Sequence, residues 1–293
     1  MQMKIDAHHH LWDLQSVQYP WLMAEGVERF FGDPSPIQRN YLIDEFRRSA
    51  GQHGITGSVH IQVGAADPMA EAEWVQQVAD ATPDWPLVQV AFADLTGPDL
   101  GDHLDRLQQL PSLRGIRQII GRAPGEDAQT GTKALLADPK FRAGLQELAH
   151  RGLSFDLQLI PELMADTARV LAEVPDLKVA LCHAGSPHDR SSAGLARWAD
   201  QLRPLSDLPN VTCKLSGLGM FDHAWTPASI APIVTTCLEQ FGQDRVIYGS
   251  NVPVDSLYSD YATLYTGMEG LVPADWHSAV FGSNAAAFYR SNG

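Results

Sequence analysis

Short runs of β-branched and apolar residues recur along this chain, each followed by a longer stretch with helical spacing. The apolar runs predict strands at 3–9, 55–63, 87–93, 113–120, 153–159, 177–183, 210–216 and 245–250. Cap chemistry marks several helices between them. Asp67-Pro68 and Asp138-Pro139 each set a capping carboxylate before a proline at the first helical position, and Gly152 closes the second helix. Thr226-Pro227 opens another, which Gly242 ends. Eight strands alternating with helices predict an α/β chain folded as one TIM (β/α)8 barrel over 1–293. An open doubly wound sheet is the competing architecture, but no Gly-rich phosphate turn follows the first strand. No repeat, low-complexity tract or shift in composition marks a linker.

The segment 13–40 breaks the rhythm. It is too long for an ordinary βα loop and carries Tyr19, Trp21, Phe30 and Phe31. Two readings stand equally: a lid or binding loop, or a surface insertion with its own apolar cluster.

Composition narrows the partners. With 44% hydrophobic and 19% charged residues, the 293-residue chain can bury a full core. A net charge of −14 argues against nucleic acid or an anionic membrane surface. It leaves room for a small anionic substrate, because a few local arginines can dominate one pocket. No apolar run approaches the ~18–20 residues of a membrane helix, and no signal-peptide pattern precedes the first strand, so a cytoplasmic location is expected. Cys182, Cys213 and Cys237 are odd in number, form no CxxC pair and sit in apolar stretches, which predicts reduced, buried thiols. Trp74, Trp85 and Trp198 suit either core or interface, so a homo-oligomer is left open.

The candidate chemistry begins with Asp6-Ala-His8-His9-His10-Leu-Trp12. Alternation on a strand turns His8 and His10 to one face, with Asp6 behind, Trp12 ahead and His9 turned away. Two imidazoles on one face suit half a metal site or a catalytic floor. Strand ends elsewhere are polar. Ser58, His60 and Gln62 share one face of the second strand, Arg117 lies inside an apolar run, and Asp156 and Gln158 share a face of the fifth. His183 ends the sixth, Thr212, Lys214 and Ser216 share a face of the seventh, and Asn251 ends the eighth, with Asp255 four residues on. In a barrel these ends meet at one rim. An arginine inside an apolar run calls for a carboxylate from the protein or a ligand.

Asp6-x-His8-x-His10-x-Trp12, Gly115-Ile-Arg117, His183-x-Gly185-x-Pro187, Lys214-Leu-Ser216-Gly217, Gly249-Ser-Asn251-x-Pro253-Val and Gly282-Ser-Asn284-Ala-Ala, taken in order, resemble the amidohydrolase superfamily. The similarity is to the amidohydrolase-2 group of sugar-acid lactonases and 2-pyrone-4,6-dicarboxylate lactonase, with a neighbouring branch of metal-dependent decarboxylases. It implies a distorted barrel in which His8, His10 and His183 ligate one divalent metal, zinc or manganese. His183 would alternatively polarise a substrate carbonyl, and lactonases of the group that work without a metal keep that alternative open. Arg117 would hold a substrate carboxylate or hydroxyl.

The departure is Asn251, where the family places an aspartate base. An amide accepts no proton usefully. Asp255 is then the substitute carboxylate, with His60 and His188-Asp189 as further candidates. The expected function is hydrolysis of a small sugar-acid or dicarboxylate lactone, with Trp12, His60, Gln62, Arg117 and Lys214 binding an anionic or polyhydroxylated substrate. A non-oxidative decarboxylase ranks second, and a binding protein that has lost its chemistry third.

Overall fold

A computed structural model describes residues 3–123 and 132–290. Eight parallel strands pair in chain order: β1 (Lys4–His9), β2 (Ile55–Ile61), β3 (Leu87–Ala91), β4 (Leu113–Ile116), β5 (Ser154–Leu157), β6 (Val179–Leu181), β7 (Val211–Leu215) and β8 (Val246–Tyr248). The ring closes at its upper rim, where Asn251 N–H donates to His8 O (2.7 Å) and His10 N–H to Val252 O (2.8 Å). The architecture is the expected TIM barrel. Each strand is shorter than its apolar run, and in every strand but β1 the last residues of the run leave the sheet toward the rim.

The caps act as the sequence predicts. Asp67 accepts from Met69 and Ala70 N–H at the head of helix Pro68–Ala81, and Asp138 from Lys140 N–H at the head of Pro139–His150. Thr226 and Ser229 form a reciprocal capping box on Pro227–Phe241. The barrel interior packs Ile5, Ala7, Val59, Ile61, Val90, Ala180 and Ile247 together, and Ala285, Phe288 and Tyr289 plug its lower end. The three cysteines are free and buried.

One irregularity sets the site. Between Asp6 and His9 the first strand advances three residues while its partner advances two, Ser58 to His60. This bulge inverts the in–out phase. Ile5 and Ala7 face inward below it, and His8 and His10 face inward above it. Asp6 therefore lies on the opposite face from those histidines, where it accepts from Tyr261 O–H (3.0 Å) and from the His8 and Ser250 N–H groups.

Segment 13–40 is tied down at both ends. Trp12 and Tyr41 form an antiparallel bridge, and the Trp21 indole donates to Val63 O (2.9 Å). Its aromatics pack across the barrel mouth, Phe30 stacked on Phe221 at 5.5 Å and Trp21 edge-on to Phe31 at 6.0 Å. Among the described residues, no helix is long and apolar enough to cross a membrane.

Candidate active site at the barrel mouth

A cleft of about 550 Å³ opens at the carboxyl ends of the strands, lined by His10, Arg117, Gln158, His183 and Asn251 below and by Trp12, Trp21, Arg29, Phe30 and Phe31 above. No carboxylate stands among its described lining residues.

His183 is held by backbone conformation. The chain from His183 to Ser186 runs through positive φ (56°, 51°, 69° and 55°), which swings the imidazole over the barrel. Its Nδ1 lies 3.0 Å from Ser216 Oγ, and that same oxygen accepts the His183 N–H. Gly217 makes room for the ring: a Cβ there would stand 2.3 Å from His183 Nδ1. Below sits His8, ring centroids 4.6 Å from His183 and 5.2 Å from His10, with both its nitrogens buried and unpartnered among the described residues. Gly249 allows this approach, because a Cβ there would meet His8 Cβ at 2.5 Å.

His10 has a defined tautomer. The Ile61 carbonyl, 2.8 Å from Nδ1, can only accept, so the proton is on Nδ1 and Nε2 is an acceptor. Asn251 Oδ1 stands 3.2 Å from Nε2. Burial, reinforced by neighbouring positive charge, lowers the proton affinity of all three histidines, in His10 to a pKa of about 3. The rings are therefore neutral at pH 7.

Arg117 finds no protein carboxylate among the described residues. Its Nη1 donates to Gln158 Oε1 (3.1 Å), Nη2 donates to Gln62 O, and Nε is unpartnered. Asp255 lies behind Asn251, with both carboxylate oxygens buried and unpartnered among the described residues. Burial raises its pKa to about 7, against the pull of Asn251 and the backbone at Gly219 and Gly217.

Several expected residues stand off the cavity wall. The apolar face of β2, Val59 and Ile61, points into the barrel, so His60 turns outward to His9, which itself stacks on Phe46 at 3.9 Å. Gln62 lines a neighbouring depression with Phe92 and Gln118. Lys214 is sealed beneath the cleft: its Nζ donates to Asp156 Oδ2 (2.5 Å) and Ala7 O (2.9 Å), while Tyr289 O–H donates to the same carboxylate (2.8 Å). His188 pairs with Glu162 at 3.1 Å, and Asp189 with Ser191 and Arg197, away from the lining. Arg29 and Arg122 reach the wall unannounced by any motif. The one sequence signal is that Arg122 follows Arg117 on the same strand exit and Arg29 precedes the aromatic pair.

His8, His10 and His183 cluster at the floor of the cleft, with ring centroids 4.6 and 5.2 Å from His8. His10 Nδ1 is engaged by Ile61 and its Nε2 by Asn251. No three His, Cys, Asp or Glu side chains among the described residues converge as ligands.

Residues 5–291 match the amidohydrolase family model Amidohydro_2. The chain is 38% identical to an uncharacterized protein of Sinorhizobium fredii, with 98% of each chain covered. It is 26% identical to an L-fucono-1,5-lactonase of Burkholderia ambifaria, covering 99% of this chain and 96% of that one. A crystal structure of an amidohydrolase from Burkholderia multivorans with bound zinc superposes with a TM-score of 0.84 at 25% identity, over 98% of this chain and 99% of that one.

Proposed function

The chain belongs to the amidohydrolase family, and from that premise we propose that it hydrolyses the ring ester of a small lactone bearing anionic or polyhydroxylated substituents. One observation carries the reading. His10, His183 and Asn251 share a cleft with a buried Arg117 whose protein partners are neutral. A buried guanidinium without a carboxylate is costly, and a carboxylate or hydroxyl-rich ligand offsets that cost.

Each group has a role in ring opening. With Ser216 O–H donating to His183 Nδ1, the His183 proton sits on Nε2, available to the lactone carbonyl oxygen. A neutral imidazole N–H stabilises the oxyanion as charge develops. Asp255, titrating near 7, is the base matched to neutral pH, and it takes the proton of a water held at the Asn251 amide. The tetrahedral adduct then expels the ring oxygen, which takes back the proton held on Asp255 and leaves as a hydroxyl, so the product is an open hydroxy acid. Trp12, Trp21, Phe30 and Phe31 act as the lid that keeps other water out. The zinc bound in the similar Burkholderia multivorans structure does not enter these steps.

The test is acid release from a panel of sugar-acid and carboxylated lactones, by wild type and by Arg117→Met, before and after dialysis against a chelator. Turnover that falls about 100-fold in the variant and survives the chelator is expected. Chelator-sensitive turnover restored by zinc would overturn the metal-free route. Carbon dioxide as product, with no ring-opened acid, would replace the reading with decarboxylation.

A further inference from the structure

Three site side chains hang on three consecutive carbonyls at the exit of β2. His10 Nδ1–H donates to Ile61 O (2.8 Å), Arg117 Nη2–H to Gln62 O, and Trp21 Nε1–H to Val63 O (2.9 Å). The placement of this one stretch of backbone thus sets an imidazole, a guanidinium and an aromatic wall together.

From outside the barrel one buried side chain grips that stretch, and another grips the facing exit of β1. Glu71 Oε1 accepts the Val63 N–H (2.6 Å), and His60 Nδ1 accepts the N–H of Leu11, the residue after His10 (3.1 Å). A backbone N–H can only donate, so Nδ1 is a bare lone pair and the His60 proton is on Nε2. That nitrogen faces Glu71 Oε1 at 3.6 Å. Both residues are buried and neither lines the cleft. Glu71 is itself fixed in the first turn of the helix that Asp67 caps.

We propose that His60 and Glu71 are positioning residues that lock the exits of β1 and β2 in register, so that His10, Arg117 and Trp21 are held for the reaction. The kinetic arm rests on the lactone-opening reading; the spectroscopic arm does not. A packing role for His60 needs only volume, whereas a positioning role needs an acceptor where Nδ1 stands. Asparagine supplies one, its Oδ1 falling close to the Nδ1 position, and leucine fills the volume without one.

The experiment compares wild type, His60→Asn and His60→Leu by steady-state kinetics on a lactone the wild type opens, and by ¹⁵N-resolved NMR of the histidine rings. Expected are an Nε2–H tautomer for His60 and an Nδ1–H tautomer for His10 in wild type. His60→Asn should keep kcat within about threefold and preserve the His10 signal. His60→Leu should lower kcat about tenfold, with a smaller change in KM, and shift that signal. Equal behaviour of the two variants in both readouts overturns the proposal, as does a wild-type His60 protonated on Nδ1. If the wild type opens no lactone, the functional reading falls and the ring signals alone decide. If His60→Leu does not fold, the wild-type tautomers still decide.

Discussion

Gly217→Ala tests whether His183 is placed by the backbone around it. Gly217 has φ +65°, where an alanine costs about 1–2 kcal/mol. In a chain of this size that is a fall in Tm of about 2–4 °C. The new Cβ would also stand 2.3 Å from His183 Nδ1, 2.8 Å from its Cγ and 2.7 Å from Met220 Cε. His183 is fixed by its own positive φ and by Ser216, so the ring must be displaced by something near 1 Å to clear the methyl group. A displacement of that size at a reacting group costs about 100-fold in rate, or about 2.7 kcal/mol. Gly54→Ala is the control. Its φ of +77° carries the same backbone penalty, and its Cβ would meet only Lys4 Cδ at an ordinary 3.8 Å. Thermal melts and kcat/KM on one lactone are read for both variants. Similar losses of Tm with a large loss of kcat/KM confined to Gly217→Ala are expected. Equal kcat/KM in the two variants would refute the placement of His183 at the reacting centre.

Other outcomes follow from the buried charges. Asp255 titrates near 7 in the fold against an ordinary 3.8, so its contribution to stability is full below about 4 and is lost as pH rises through 7. The shift corresponds to about 4 kcal/mol, and Asp255→Asn should flatten the fall of Tm between pH 5 and 8 while removing the kcat limb near 7; an unchanged pH–rate profile would clear Asp255 as the base. Lys214→Met leaves Asp156 buried beside Tyr289 without its cation, and a loss of about 3–5 kcal/mol in denaturant unfolding is expected. A loss below about 1 kcal/mol would refute a stabilising Lys214–Asp156 contact.

The barrel was legible in the chain because its signals are local. Alternating apolar runs, Asp-Pro and Thr-Pro caps and closing glycines each act over a few residues, and all eight strands and the capped helices lie where those signals put them. His8 and His10 turned up together, as alternation predicts, as did Arg117, His183 and Asn251 at the rim. Alternation says which residues share a face but not which face is inside. On β2 the apolar face took the barrel interior, and His60 went to the helix layer. Lys214 found Asp156 across the barrel, a pairing between strands 58 residues apart that no local pattern encodes. The bulge that separates Asp6 from the two histidines depends on register between β1 and β2, so only the assembled sheet could decide it. Short-range chemistry determined the elements and the rim, and long-range packing decided which polar side chains reach the cleft and which hold it from behind.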